Sequence, residues 1–196
     1  VVGSGTMPGS GTFLTTVNLA TLVDGTITAT ATLTDAAGNT SAPGSAITTK
    51  DTVPPVLNSV ADSPDPFSPN GDLVKDTTAI SYSSSEPVIA TVNVIDAAGI
   101  VVRSGIPQFS GAPSIIWDGK SGPPLPVATV PDGIYTYTVN VIDLAGNPGN
   151  SLSGVVTVDT VAPETTITSQ PTGPTNSTTA SFTFTSNEGG STFQCQ

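Results

Sequence analysis

The sequence contains no histidine and only one cysteine, Cys195, among its 196 residues. Without histidine there is no Ser-His-Asp or Cys-His arrangement for nucleophilic catalysis, and no zinc site of the usual His/Cys type. A single cysteine excludes an intrachain disulfide. Two carboxylates could in principle serve a glycosidase, but the acidic residues lie in turns and joints, with no sign of an aromatic-lined cleft around them. We therefore expect that the chain is not an enzyme.

Basic residues are also scarce. Four Lys and Arg stand against 15 Asp and Glu, which gives a net charge of −11. Phosphate backbones and anionic headgroups find no cationic face here, so we expect neither nucleic acid nor anionic lipid as a partner. No apolar run is long enough to predict a membrane span in this segment. The acidity suits divalent cations, or it only maintains the solubility of a secreted protein.

No window of the sequence shows a helical period, whereas alternating patterns are frequent. Ile134 to Val141 alternates with period two, which is typical of a half-buried strand. The 20 glycines and 18 prolines favour short strands with many turns. We predict an all-β fold, with Trp117 as a core anchor and Cys195 as a small buried strand residue. The predicted strands around Trp117 are Val56–Ala61, Thr78–Ser83, Val88–Ile95, Ile100–Arg103, Ser114–Trp117, Ile134–Ile142 and Gly154–Val158.

The sequence repeats itself at a long interval. Asp24 to Pro55 aligns without a gap with Asp132 to Pro163, an offset of 108 residues. A second pair of similar segments is Thr77 to Glu86 and Thr178 to Glu188, with an offset of 101 at the start and 102 at the end. A repeat of about a hundred residues made of short strands has the size of an immunoglobulin-like sandwich.

This repeat predicts tandem immunoglobulin-like β-sandwich modules, one complete and two partial. Residues 1–52 form the C-terminal part of one module, 53–160 a complete module, and 161–196 the N-terminal part of another. The joints read DTVPP at Asp51 to Pro55 and DTVAP at Asp159 to Pro163. Proline at a joint restricts the backbone and keeps successive modules extended.

The central segment carries a family likeness. Phe67 to Asp72 reads FSPNGD, and it is followed by the IWDG run that ends at Gly119 and the PDGIYTY run that ends at Tyr137. This order of motifs resembles the FlgD-type immunoglobulin-like domain of secreted bacterial surface proteins. Leu73 and Lys75 stand where that family usually has glycine and asparagine. The resemblance implies an extracellular bacterial module and does not imply one particular activity.

Calcium is the one cofactor that the sequence suggests, because it takes six to eight oxygen ligands. The loop between residues 62 and 76 offers four carboxylates and an amide. We predict a calcium site there, with these ligands: Asp62, Asp65, Asn70, Asp72 and Asp76. The alternative is that these Asp and Asn side chains close their own turns by hydrogen bonds.

The joints offer a second arrangement of acidic residues. Asp35 is expected to approach Asp51, and Asp143 to approach Asp159, so that a cation would stiffen each linker. The DxAGN runs that contain Asp35 and Asp143 are also good hairpin sequences in their own right. Turn formation is therefore the competing interpretation of both runs.

The function expected from these features is structural. The chain is predicted to be a non-catalytic segment of a long extracellular bacterial surface protein, such as a stalk, adhesin, fibre or surface-layer component. The alternative is a spacer module of a secreted hydrolase. Its expected partners are neighbouring immunoglobulin-like modules of the same or adjacent chains, and its expected location is extracellular, at the cell surface or secreted.

The two partial modules leave two interpretations of the chain ends. Isolated halves would expose sheet edges and apolar faces. Either the sequence is a window on a longer polypeptide, or the halves of adjacent chains complete one sandwich head to tail and form a homopolymer.

Overall fold

The computed structural model describes residues 9, 11–12, 14–108, 114–123 and 125–194. Cys195, which is predicted to be a small buried strand residue, lies outside these residues. The described strands are β1 Gly25–Ala31, β2 Gly44–Lys50, β3 Leu57–Ser63, β4 Thr78–Ser84, β5 Val88–Ile95, β6 Val101–Pro107, β7 Ser114–Trp117, β8 Gly133–Asp143, β9 Leu152–Val158, β10 Thr165–Ser169 and β11 Thr183–Ser186.

The strands form four sheets. The orders are β1-β2, β10-β11, β3-β4-β7 and β6-β5-β8-β9. The predicted all-β, β-sandwich fold is confirmed, and each of the seven strands expected around Trp117 is present. Several differ from the predicted bounds by one or two residues, and the largest extension is that of β6, which continues to Pro107; β9 begins two residues early, at Leu152. Pro107 in β6 and Ser153 in β9 interrupt the apolar alternation at these ends, so the sequence pattern stops short of them. Pairing with a neighbouring strand nevertheless continues the strand there.

The sheets β3-β4-β7 and β6-β5-β8-β9 face each other across an apolar core. Trp117 of β7 packs edge-on against Tyr135 of β8, with ring centroids 5.5 Å apart. The ring of Phe67 also packs on the Trp117 indole, with ring centroids 5.4 Å apart. Trp117 is 1% exposed, which confirms its prediction as a core anchor. The Tyr137 hydroxyl donates a hydrogen bond of 2.9 Å to Asp62 Oδ1, so that β8 is also joined to β3 by a polar contact.

The contacts of the chain divide it into two compact units. One comprises the described residues of 1–57 with 84–89 and 141–150, and the other those of 58–83, 90–140 and 151–196. The predicted domain bounds at residues 52/53 and 160/161 remain a prediction. Each of the four sheets has all its strands within one of the three predicted ranges.

The hairpin β1-β2 is an in-register copy of the hairpin β8-β9. Gly25 pairs with Lys50 and Ala31 with Gly44 in the first, while Gly133 pairs with Val158 and Val139 with Leu152 in the second. Each pair in the second hairpin lies 108 residues beyond its counterpart. The repeat in the sequence is therefore a repeat in strand pairing.

The joint after each of these hairpins is held by the same hydrogen bonds. In the first, Asp24 Oδ2 accepts from the Thr52 amide at 3.0 Å and from Thr52 Oγ1 at 2.7 Å. In the second, Asp132 accepts from the Thr160 amide at 3.0 Å and from Thr160 Oγ1 at 2.9 Å. We call each of these pairs the Asp–Thr clamp. The aspartate just before the first strand of each hairpin thus holds the threonine that lies two residues after the second strand.

In both β3-β4 and β10-β11, the residue just before the first strand forms a reciprocal pair of hydrogen bonds with the residue just after the second. Val56 donates its amide to Ser85 Oγ, and the Ser85 amide donates back to the Val56 carbonyl. Glu164 and Asn187 make the same reciprocal pair, with Asn187 Oδ1 in place of the serine hydroxyl. The offsets, 108 and 102 residues, are those found in the sequence.

Candidate functional site

A buried aspartate, Asp143, closes the turn that follows β8. Asp143 Oδ1 accepts from the amides of Ala145 and Asn147, both at 2.8 Å, and Asp143 Oδ2 accepts from Asn147 Nδ2 at 2.8 Å. Asp35 makes the same set of bonds in the first DxAGN run, yet Asp35 is exposed whereas Asp143 is only 2% exposed. The turn chemistry is therefore local, and the burial of Asp143 comes from the segments packed around it.

Those segments bring two further carboxylates to Asp143. Asp51 follows β2, and Glu86 lies in the connection between β4 and β5. One oxygen from each of Asp51, Glu86 and Asp143 lies within 4.8 Å of the others. Asn147 Nδ2 also donates to the Asp51 carbonyl at 3.2 Å, which ties the joint to the turn. We call these three residues the acidic cluster.

The charges in the acidic cluster act on one another. Burial raises the pKa of Glu86, and the negative charges of Asp51 and Asp143 raise it further. Burial acts to raise the pKa of Asp143 too, but the hydrogen bonds from Asn147, Ala145 and Gly146 outweigh it and lower that pKa. Glu86 therefore holds its proton more strongly than Asp143 does.

The donor set of the acidic cluster defines the chemistry open to it. Three carboxylates at this spacing could hold a metal ion. Because all the donors are oxygens, with no imidazole or thiolate among them, the cluster suits a hard cation and not zinc or copper(I).

The loop predicted to bind calcium is closed by its own side chains. Asn70 Oδ1 accepts from the Asp72 amide at 3.0 Å, and Asp76 accepts from the amides of Gly71 and Leu73, both at 2.8 Å. Leu73 and Lys75 adopt left-handed φ angles of 70° and 54°. These are the positions at which the resembling family has glycine and asparagine, which tolerate that conformation.

The two other predicted ligands, Asp62 and Asp65, bond elsewhere. Asp65 Oδ1 accepts from the Thr157 amide at 2.8 Å. Asp62 Oδ2 is buried and has no hydrogen-bond partner among the described residues, and burial raises the pKa of this carboxyl. In the fully described loop, no three of the carboxylates come as close together as those of the acidic cluster. The assignment of calcium to this loop stays a prediction.

The expected pairing of acids at the joints was wrong. Asp35 lies beyond Ala31 and Asp51 beyond Lys50, but the register pairs Ala31 with Gly44 and Lys50 with Gly25. The two aspartates therefore lie at opposite ends of one hairpin. The register of β8-β9 separates Asp143 from Asp159 in the same way, since Asp159 follows Val158, the partner of Gly133.

Sequence reasoning missed Glu86. The signal for it was present, because Glu86 and Glu188 end the second repeated pair of segments. Only the fold shows that the connection after β4 approaches both the preceding joint and the turn after β8.

Comparisons with known proteins add little to this geometry. No protein family matches the chain, and no curated protein is similar to it. Among solved structures it is similar to CopC from Methylosinus trichosporium OB3b, with 16% identity and a TM-score of 0.32 over 54% of this chain and 93% of that one. Within the described ranges, no helix has the length and hydropathy that crossing a bilayer requires.

Proposed function

We propose that this chain is a non-catalytic structural segment of a long extracellular bacterial surface protein built from tandem immunoglobulin-like modules, the central one of the FlgD type. The observation that carries the proposal is the repeated joint. Two hairpins with the same register end in the same Asp–Thr clamp, followed by a proline-containing linker. A joint used twice with the same bonds supports a role in spacing.

The contacts of the first joint support the same role. Pro55 is fully buried, and a side chain at Gly149 would lie only 2.4 Å from the Pro55 carbonyl oxygen. The Leu57 amide donates to Asn150 Oδ1 at 2.6 Å, and Asn150 Nδ2 donates back to the Leu57 carbonyl at 3.1 Å. These contacts anchor the C-terminal end of the linker to the central module, which supports a joint of restricted flexibility.

Calcium is part of the proposal. It would bind the acidic cluster, where it would neutralise three mutually repelling carboxylates and link Asp51 of the joint to Asp143 of the turn. The second joint has counterparts of two of the three residues, because Asp159 corresponds to Asp51 and Glu188 to Glu86. The loop from Asp62 to Asp76 is the competing location.

The calcium proposal is tested by thermal unfolding in calcium and in chelator. At a calcium concentration ten times the dissociation constant, binding would stabilise the folded state by about 1.4 kcal/mol. Glu86→Gln should remove the shift, and Asp72→Asn should leave it unchanged. The opposite result would place calcium in the loop, and an unshifted melting curve of the unsubstituted protein would end the calcium proposal altogether.

The location and context of the chain need a separate experiment. Antibodies raised against it should label intact source cells, and the native polypeptide that they capture should contain further immunoglobulin-like modules on mass-spectrometric sequencing. If the captured polypeptide instead carries a hydrolase domain, the alternative function, a spacer in a secreted hydrolase, is correct.

A further inference from the structure

The hairpin β1-β2 is largely exposed. All but two of its fourteen residues are exposed, the exceptions being Ile27 and Lys50. By register, Ile27 and Ala29 correspond to Tyr135 and Tyr137, which are buried in the central sandwich. The face of β1-β2 that carries Ile27 is thus the counterpart of a covered core face.

The central sandwich shows what covers such a face. Trp117 of β7 packs against Tyr135, and Asp62 of β3 accepts the hydrogen bond of Tyr137. Both contacts come from the sheet β3-β4-β7. The partner that this face fits is therefore a sheet equivalent to β3-β4-β7.

The same chain contains a counterpart of two strands of that sheet, β10-β11, in which every residue of β10 is exposed and β11 alternates between exposed and half-buried residues. The reciprocal bonds of Glu164 and Asn187 make β10-β11 the equivalent of β3-β4. At the offset of 102 residues, Phe182 takes the place of Ile80. Ile80 is 0% exposed in the central core, whereas Phe182 is 51% exposed.

We propose that the β10-β11 hairpin of one copy of this chain packs on the β1-β2 hairpin of a second copy, face to face, as β3-β4 packs on β8-β9 in the central sandwich. The contact is heterologous, because the two surfaces differ, and it therefore propagates into open head-to-tail assemblies. Four strands without counterparts of β5, β6 and β7 make a small interface, so the association is weak. The proposal rests on the modular architecture in the proposed function and adds a partner to it.

Sedimentation velocity of residues 1–196 over a concentration series tests the proposal. The weight-average mass should rise with concentration and pass twice the monomer mass, because a heterologous contact does not stop at a dimer. Ile27→Asp and Phe182→Asp should each leave the chain monomeric at the highest concentration. Ile134→Asp, on an exposed side chain of β8, is the matched control and should assemble like the unsubstituted chain.

A mixture of the two variants gives the sharpest result. Each retains one intact face, so an equimolar mixture of Ile27→Asp and Phe182→Asp should form dimers and nothing larger. A monomeric unsubstituted chain at every concentration overturns the proposal and means that flanking segments of a longer polypeptide, or another protein, cover these faces. Assembly that survives both substitutions also overturns it. Neither outcome affects cell labelling, which tests the proposed function separately.

Discussion

Gly154 has no side chain because Tyr137 occupies the space where one would lie. The two residues are paired across β8 and β9, and a Cβ built at Gly154 would be 2.2 Å from the Tyr137 hydroxyl oxygen and 2.3 Å from Cζ. Tyr137 is 1% exposed, and its hydroxyl is bonded to Asp62, so the ring has little room to move. Substitution of Gly154 by alanine should therefore destabilise the central sandwich.

The cost has two parts. Overpacking of a buried site costs about 1–3 kcal/mol. Displacing the ring also breaks the bond to Asp62, whose other oxygen already has no partner among the described residues, at about 1 kcal/mol. We expect Gly154→Ala to lower the free energy of unfolding by about 2–4 kcal/mol, which corresponds to a fall in Tm of roughly 10–25 °C for a domain of about 100 residues.

A double-mutant cycle isolates the steric part. Tyr137→Leu removes the hydroxyl and the ring carbons that oppose Gly154, so Gly154→Ala should cost less than about 1 kcal/mol in that background. Guanidinium unfolding of the four proteins measures the coupling, and Gly189→Ala, in open space, is the control substitution. An equal cost of Gly154→Ala in both backgrounds would falsify the steric explanation.

Three further predictions concern exposed or half-buried sites. Leu73→Gly should raise the free energy of unfolding by about 1 kcal/mol, measured in denaturant, because Leu73 holds a left-handed φ while 92% exposed; no gain would mean that the loop is unstrained. Burial raises the pKa of Asp62 above its ordinary 3.8, so its stabilising contribution is complete below that pH and is lost as the pH rises through the folded pKa. Asp62→Asn should flatten the curve of unfolding free energy against pH above pH 3.8, and an unchanged curve would show that Asp62 does not cause this pH dependence. Thr52→Val should speed amide hydrogen exchange at the end of β2 several-fold, because it removes the hydroxyl bond of the clamp to Asp24, whereas Thr49→Val, at an exposed position, should not; equal exchange in both variants would contradict this role of the clamp.

The architecture could be predicted from sequence because its signals are local. Period-two alternation in a half-buried strand such as β8 places its apolar residues on one face, and a gapless repeat transfers that assignment to β1. The burial of Trp117, the only tryptophan, was predicted on a different ground: the sequence showed no sign of a second exposed aromatic residue beside it, as a ligand-stacking site would need.

The acidic cluster could not be predicted in the same way. Asp51, Glu86 and Asp143 are far apart in the sequence, and they meet only because three different connections reach one place. The prediction that Asp35 approaches Asp51 relied on their nearness in the sequence. In an antiparallel hairpin, however, residues at the turn lie at the opposite end from residues at the open end. The side chain of Asp143 also gave no sign of its burial, since Asp35 has the same turn sequence and is exposed.

The matching registers of β1-β2 and β8-β9 have a consequence for how long such a protein can be. Residues 24–55 and 132–163 have the same strand pairing and the same clamp at equivalent positions. A gene that gained or lost the 108 codons between equivalent positions would encode a chain in which the strand register and the clamp continue across the point of exchange. Under the proposed function, recombination between the repeats would therefore change the length of the surface protein in steps of one module.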